Sequence, residues 1–210
     1  MRLGKTPVNT LTMLSIAACV ATASAAFEEF DFKDPKGVNA IYFVLDSELE
    51  PIMGMATGIS GTVSFDPKNP KDLTGKIVVR ASTVHTSNKK MTTYLRSEGW
   101  LDTKTHKTIE FEFKEVTKVE TPRDNVFHLT VVGDFTCKGV TREITMPVRV
   151  AYLTGKMAAR MRGKEGDLLA LRVDFTIKRS DFGIKSGMME QSVADEIELK
   201  VRIIGGHAAE

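Results

Sequence analysis

The chain has 210 residues, of which 42% are hydrophobic and 27% are charged. This is ordinary globular composition, and it excludes collagen, a wholly disordered chain and a disulfide scaffold. The length predicts one domain with its own core, or one domain after a processed leader. The formal charge of +2 depends on Arg2 and Lys5, because the 29 basic residues less these two leave 27, against 27 acidic residues. A formally neutral domain argues against nucleic-acid binding, which needs clustered cations.

The first 25 residues contain, in order, the three parts of a secretory signal peptide. Arg2 and Lys5 form the positive start, and residues 11–20 form an apolar run that is too short to span a bilayer. Ala23–Ala25 is an A-x-A site, so we expect cleavage between Ala25 and Ala26. The sequence therefore predicts a signal peptide over residues 1–25 and a periplasmic or secreted domain over residues 26–210.

An alternative leader is suggested by residues 16–19, which read Ile-Ala-Ala-Cys and resemble a bacterial lipobox. In that case Cys19 is lipidated, becomes the first mature residue and anchors the domain to a membrane. Both alternatives carry the domain across the inner membrane of a bacterium.

The motifs of common catalytic and metal sites are missing from the sequence. It has no H-E-x-x-H, C-x-x-C, G-x-S-x-G, phosphate-loop or dinucleotide pattern. His85, His106 and His128 are isolated and are expected at the surface. After cleavage at Ala25 one cysteine remains, and we expect Cys137 to be a small half-buried residue at a strand end. The sequence therefore predicts no metal, no cofactor and no catalytic residue.

Alternation of apolar and polar residues dominates the chain after residue 26 and predicts antiparallel strands with one buried face. Lys138-Gly139 and residues 121–125 predict hairpin turns, and Pro147 indicates a strand near an edge of the sheet. The predicted strands lie within residues 38–45, 57–65, 74–81, 109–114, 127–131, 144–150, 169–178 and 197–203.

One stretch, residues 86–99, has helical spacing instead. Ser87 or Asn88 is a suitable N-cap and Gly99 a suitable stop, so we expect one short helix whose apolar face lies on the sheet. About eight short strands with one helix favour a closed antiparallel barrel, because closure removes exposed edges. The residues assigned to the helix and the rim of the barrel are Met91, Tyr94, Leu95 and Trp100.

Large apolar side chains concentrate on the buried faces of the predicted strands. An eight-stranded barrel is either filled by such side chains or holds one small ligand, and the residues themselves leave both possibilities open. The candidate lining residues are Phe43, Ile109, Phe111, Phe113, Phe127, Leu129, Val131, Phe135, Val173, Phe175 and Ile177.

Three segments resemble the YceI-like family of bacterial polyisoprenoid-binding proteins. Residues 133–141, GDFTCKGVT, look like the family's G-x-L-T-x-x-G-V-T hairpin. Residues 177–184, IKRSDFGI, are similar to its I-x-R-S-D-F-G run. Residues 86–111 look like its helix, the following turn and the next strand. The resemblance covers about residues 36–204.

The resemblance implies an all-β fold: an extended, lipocalin-like, eight-stranded antiparallel barrel with one short helix. It implies that the interior binds a polyisoprenoid or an isoprenoid quinone, by sequestration or carriage rather than catalysis and without a cofactor. A membrane then serves only as the source of lipid, or as the site of an anchor at Cys19. At Met91, Thr92 and Tyr94 the sequence departs from the family's usual Arg-Asp pair and His, so no headgroup contact is carried over.

The I-x-R-S-D-F-G run is expected to serve architecture. Arg179 and Asp181 could pair locally or cap a loop, Phe182 could plug one barrel end, and Gly183 could allow close backbone approach. Two other functions remain open: a ligand-free structural or interaction module with a filled barrel, and a secreted hydrolase or isomerase that uses a pocket carboxylate.

Overall fold

The computed structural model describes residues 27–185 and 192–209. The predicted signal peptide and Cys19 lie outside these residues. The described strands are β1 (Glu28–Asp31), β2 (Ala40–Leu45), β3 (Ile52–Ala56), β4 (Ile59–Phe65), β5 (Thr74–Arg80), β6 (His85–Thr86), β7 (Thr108–Arg123), β8 (Val126–Cys137), β9 (Val140–Leu153), β10 (Gly166–Lys178) and β11 (Glu196–Ala208). The helices are α1 (Lys89–Leu95) and α2 (Met157–Arg160), with single 3-10 turns at Pro70–Asp72, Ala81–Thr83 and Arg179–Phe182.

Eight strands close into an antiparallel barrel in the order β1–β4–β5–β7–β8–β9–β10–β11. Strand β1 completes the ring, since it pairs with β4 along its length and Asp31 pairs with Gly206 of β11. Strands β2, β3 and β6 extend the sheet from the same edge of β11. The predicted all-β, eight-stranded antiparallel barrel with a short helix is therefore confirmed.

Turn chemistry sets the register of the two longest hairpins. Lys138 and Gly139 have φ values of 50° and 75°, the left-handed pair whose twist suits a two-residue hairpin. The β7–β8 turn is tighter than predicted, because β7 continues to Arg123 and only Asp124 and Asn125 form the turn. Asn125 has a φ of 59°, which asparagine tolerates better than most residues.

Strands β1 and β3 and the single turn α2 were not predicted. Strand β1 has four residues and β3 has five, including Gly54. Segments this short contain too few alternating positions to be told from loop. They form because the neighbouring strands β4, β11 and β2 supply their hydrogen-bond partners.

A polar junction holds the point at which β11 changes partner from β2 to β1. The side-chain amide of Asn39 donates to the carbonyl of Ile204 and accepts its N–H, both at 3.0 Å, as a neighbouring strand would. Arg160 donates to Asn39 Oδ1 at 3.1 Å, and its guanidinium lies 3.2 Å from Asp34 Oδ1. These side chains replace main-chain pairing where the barrel closes.

Asp34 makes the stability of this junction depend on pH. Burial opposes ionisation of Asp34, but the N–H groups of Asn39, Lys36 and Val38 and the charge of Arg160 outweigh burial and hold its pKa below the usual value. A lowered pKa adds stability that is present above the unfolded-state pKa, about 3.9, and is lost as the pH falls through the folded-state value. We expect the destabilisation caused by Asp34→Asn to be full at pH 7 and to shrink below about pH 4. Urea unfolding of both proteins from pH 7 to pH 3 measures this, and a constant difference would contradict it.

Candidate functional site

The interior of the barrel has two parts, which we call the filled half and the cavity half. The filled half consists of buried side chains that do not border the cavity of the other half. It is formed by Phe30, Val63, Phe65, Phe127, Leu129, Val131 and Leu169. The cavity half contains an apolar cavity of about 150 Å³, lined by strands β2, β3, β5 and β7 to β11 and also bordered by Leu95 of α1, Trp100 and Leu101.

The structure brings together eight of the eleven candidate lining residues around this cavity. They are Phe43, Ile109, Phe111, Phe113, Phe135, Val173, Phe175 and Ile177. That these side chains contact a lipid stays a prediction.

The other three candidates, Phe127, Leu129 and Val131, project from β8 into the filled half. Phe127 packs edge-on against Phe65 with ring centroids 5.3 Å apart. The cavity therefore stops short of these three residues, which the sequence had placed among its lining.

The helix and rim residues separate in the same way. Leu95 and Trp100 border the cavity, whereas Met91 packs on the core without reaching it. Tyr94 is 56% exposed and lies beside Lys90, whose Nζ is 6.0 Å from its ring. Because α1 has only two turns and touches the barrel along one narrow stripe, Met91 and Leu95 occupy the contact and Tyr94 is turned to solvent.

Two glycines inside strands make room for phenyl rings of the cavity half. A Cβ atom on Gly133 would lie 2.3 Å from Cζ of Phe111, and one on Gly54 would lie 2.2 Å from Cζ of Phe43. Each ring therefore lies directly over the backbone of the neighbouring strand. An isolated glycine within a strand pattern indicates such an approach, so this feature could have been found from the sequence.

Sequence reasoning missed the contribution of β11. Four alternating residues of this strand border the cavity: Ile197, Leu199, Val201 and Ile203. Their alternation predicted the strand, but alternation identifies a buried face without showing whether that face meets other side chains or a space.

Cys137 also borders the cavity, and it is more buried than predicted, with only 3% of its surface exposed. Burial raises the pKa of the thiol to about 12, although the charge of Lys138 opposes the shift. The thiol therefore stays protonated at neutral pH, and a protonated thiol is neither a nucleophile nor a metal ligand.

Arg179 borders the cavity. Its guanidinium group is engaged by carbonyl groups of the protein backbone. It donates to the carbonyls of Ala194, Ile184 and Val193 at 3.0–3.2 Å, and also to that of Lys185. The Ser180 hydroxyl donates to Asp195 at 2.7 Å. The I-x-R-S-D-F-G run is thus architectural, although Arg179 joins residues 184–185 to residues 193–194 rather than pairing with Asp181.

The last two residues of the same run also have structural roles. Phe182 is buried against Phe135, with ring centroids 5.4 Å apart, as expected of a plug. Gly183 has a φ of 62°, and nothing lies within 4 Å of the Cβ position. Left-handed backbone, rather than the expected close approach, accounts for this glycine.

Glu110 is the acidic residue among those that border the cavity in the described chain. Its carboxylate accepts the Thr108 hydroxyl at 2.7 Å and Lys76 Nζ at 3.3 Å. The hydrogen bond from the Thr108 hydroxyl has the largest effect and, together with the Lys76 ammonium, lowers the pKa of Glu110. Burial opposes this shift, but the pKa stays below its usual value. A carboxylate kept ionised in this way is poorly suited to act as a general acid at neutral pH.

Within residues 27–185 and 192–209, no group of three or more His, Cys, Asp or Glu side chains is placed to hold a metal ion. Over the same residues, no helix combines the length and the apolar character needed to cross a membrane. The arrangement offers a hydrocarbon-lined space and is suited to binding apolar matter.

Comparison with known proteins finds relatives along almost the whole chain. The family model of the YceI-like domain matches residues 34–204. A UPF0312 protein of Pseudomonas aeruginosa strain LESB58 is 26% identical over 201 residues, which cover 94% of this chain and 97% of that protein. A UPF0312 protein of Yersinia enterocolitica is 27% identical over 202 residues, which cover 95% of this chain and 98% of that protein.

Solved structures with the same fold are found as well. The crystal structure of Burkholderia cenocepacia BcnA aligns with a TM-score of 0.63 and 22% identity, covering 79% of this chain and 95% of that one. A polyisoprenoid binding domain from Saccharophagus degradans, implicated in plant cell wall breakdown, aligns with a TM-score of 0.62 and 11% identity, covering 86% and 99%. At these identities the likeness shows the fold.

Proposed function

Because the chain belongs to the YceI-like domain family, we propose that its barrel binds the apolar chain of an isoprenoid lipid, either a polyprenyl chain or an isoprenoid quinone. The observation that carries this proposal is the apolar cavity of about 150 Å³. A structural neighbour described as a polyisoprenoid binding domain supports this class of ligand. The driving force is the hydrophobic effect, about 0.8 kcal/mol for each buried methylene.

The size of the cavity indicates which part of the lipid it takes. An apolar cavity of about 150 Å³ in another protein stays dry and binds benzene. The cavity of this barrel therefore has room for the end of a chain.

The headgroup is expected to stay outside the barrel. Glu110 and Arg179 border the cavity, but both are held by other groups of the protein. A charged headgroup drawn inside would lose its water without gaining a partner, at a cost of several kcal/mol or more.

We propose a non-enzymatic role, sequestration or carriage of the lipid between membranes, for which no cofactor is needed. The protonated thiol of Cys137 supports binding over a hydrolase or isomerase. So does the Glu110 carboxylate, because its lowered pKa makes it a weak proton acceptor and its oxygens are engaged by Thr108 and Lys76. The cavity itself supports binding over a structural module with a filled barrel.

The first experiment asks whether the barrel holds lipid. Protein purified without detergent is extracted with organic solvent, and mass spectrometry of the extract detects any prenyl lipid. Trp100, the one tryptophan of the chain, borders the cavity. We expect its emission to change saturably when a prenyl alcohol is added to delipidated protein.

Two controls accompany this titration. Trp100→Phe removes the signal, and a water-soluble polyol should leave the emission of the parent protein unchanged. An empty extract together with an unresponsive Trp100 would overturn the binding proposal.

We further propose that residues 1–25 direct export and are removed, so that residues 26–210 act in the periplasm or outside the cell. The positive start, the apolar run and Ala23–Ala25 support this proposal. The intact mass of exported protein is expected to match a chain that begins at Ala26. A mass that matches a diacylated Cys19 at the N terminus would instead establish the lipoprotein.

A further inference from the structure

The wall of the barrel is not hydrogen-bonded along the whole boundary between β9 and β10. Strands β8 and β9 pair over all of β8, and β10 and β11 pair over all of β10. Strands β9 and β10 pair only from Val148 with Val173 to Leu153 with Leu168. In the described chain, residues 140–147 of β9 and 174–178 of β10 have no main-chain pairing with each other. We call the gap between these two segments the side window.

Both edges of the side window are defined by particular contacts. Pairing stops immediately before Val148, at Pro147, which has no N–H to contribute to a ladder. At the opposite edge, Lys138 Nζ donates to the carbonyl of Gly183 at 2.7 Å. The side window is therefore bounded at both ends. Main-chain pairing is also sparse where β1 meets β11, at Asp31 with Gly206, but there the side chain of Asn39 bonds the main chain of Ile204.

Side chains that border the cavity lie on both strands that flank the side window. Met146 belongs to β9, and Phe175 and Ile177 belong to β10. Phe175 is only half-buried, and its ring packs edge-on against Phe135 with centroids 6.0 Å apart. Between these two strands the cavity is thus covered by side chains rather than by main-chain hydrogen bonds.

We propose that the side window is the route by which the apolar chain enters the cavity, with Phe175 as its gate. This inference rests on the proposed function. Rotation of one ring exposes the cavity here, whereas opening any fully paired boundary breaks main-chain hydrogen bonds. A lateral route also lets the headgroup stay at the outer surface of β9 and β10. The ligand class it favours is a lipid with one long apolar tail, whatever the size of its headgroup.

The competing entrance lies under α1, where Leu95 and Trp100 border the cavity. Hydrogen bonds hold this region to the barrel. Arg96 Nε donates to the carbonyl of Val84 at 2.8 Å, and the N–H of Ala81 donates to the carbonyl of Lys107 at 2.9 Å. Opening there breaks these bonds, so the window is the easier route.

Cys137 provides a probe of entry that does not require a lipid, because it borders the cavity. In the full chain carrying Cys19→Ser it is the sole thiol, since the sequence has two cysteines. Monobromobimane, a small apolar thiol reagent, reaches Cys137 only after entering the cavity. It reacts with the small thiolate fraction that the raised pKa of Cys137 leaves, so all labelling rates are compared at one fixed alkaline pH. We expect Phe175→Ala to raise the labelling rate at least tenfold, and the milder Phe175→Leu to raise it less.

Matched variants separate entry through the window from entry under α1 and from a general loss of packing. Leu95→Ala, which removes a side chain that borders the cavity, should raise the rate less than Phe175→Leu does. Phe127→Leu, in the filled half, reports the effect of lost packing alone. Unfolding free energies of all variants allow labelling through global unfolding to be subtracted. Acceleration by Leu95→Ala but not by either Phe175 variant would overturn the window in favour of entry under α1.

A final arm distinguishes failure of the window from failure of the proposed function. A prenyl alcohol that occupies the cavity should protect Cys137 of the parent protein from labelling. Faster labelling of Phe175→Ala with no protection by the alcohol keeps the window and rejects the lipid. Protection without any effect of the Phe175 variants keeps the lipid and rejects the window.

Discussion

Replacing Arg179 with methionine is expected to lower the free energy of unfolding by at least about 3 kcal/mol. The Arg179 side chain is fully buried and donates to carbonyls in two segments, residues 184–185 and 193–194. Methionine fills similar space but donates nothing, so each buried carbonyl loses a charged donor at a cost of about 1–3 kcal/mol. Native proteins are stable by about 5–15 kcal/mol, so this variant should be close to unfolding.

The matched control for Arg179→Met is Arg172→Met, at an exposed position of β10, the strand that leads to Arg179. An exposed substitution of this kind changes stability by about 0.5 kcal/mol or less. Guanidinium chloride unfolding of both variants measures the difference. Equal midpoints for the two variants would show that the guanidinium of Arg179 does not stabilise the contact between residues 184–185 and residues 193–194.

Val173→Phe is expected to weaken prenyl-lipid binding at least tenfold while leaving the melting temperature almost unchanged. Val173 borders the cavity, so the added ring occupies space that the lipid would fill. The same substitution at Val131 is expected to lower the melting temperature and to leave the lipid affinity of the folded protein unchanged. Val131 is fully buried in the filled half, and overpacking a solid core costs about 1–3 kcal/mol.

Comparing Val173→Phe with Val131→Phe distinguishes a position that borders the cavity from one in the filled half, because the substitution is the same at both. Binding is measured by titration of Trp100 fluorescence, and stability by thermal unfolding. The folded fraction of Val131→Phe should retain the parent affinity. Strong destabilisation by Val173→Phe without loss of binding would show that the ligand does not occupy this cavity.

The long strands were predictable from the sequence because a strand with one buried face shows that face at every second residue. Ile109, Phe111 and Phe113 alternate with polar residues and lie in β7 as expected. The cap of α1 was equally local, since the side chain of Asn88 accepts the N–H groups of Lys90 and Met91. The short strands β1 and β3 could not be predicted, because their pairing comes from distant partners.

The empty part of the core was decided by tertiary structure alone. Phe127 and Phe135 share the inward face of β8, and their sequence surroundings are alike. Phe127 meets Phe65 of β4 and is buried away from the cavity, whereas Phe135 meets Phe175 and Phe182 and borders the cavity. Alternation specifies which way a side chain points, but a cavity is the volume that side chains from several strands fail to fill.

The same distinction applies to Arg179 and to the side window. The sequence shows an arginine after an apolar strand and a proline within another, and each is a local fact. The carbonyls that surround Arg179 come from segments up to 15 residues away, and the end of β9–β10 pairing at Pro147 depends on where the two strands diverge. The sequence alone determined the long strands, their buried faces and the family. Long-range packing and register decided where the cavity lies and where it opens, because both depend on residues that meet only in the folded barrel.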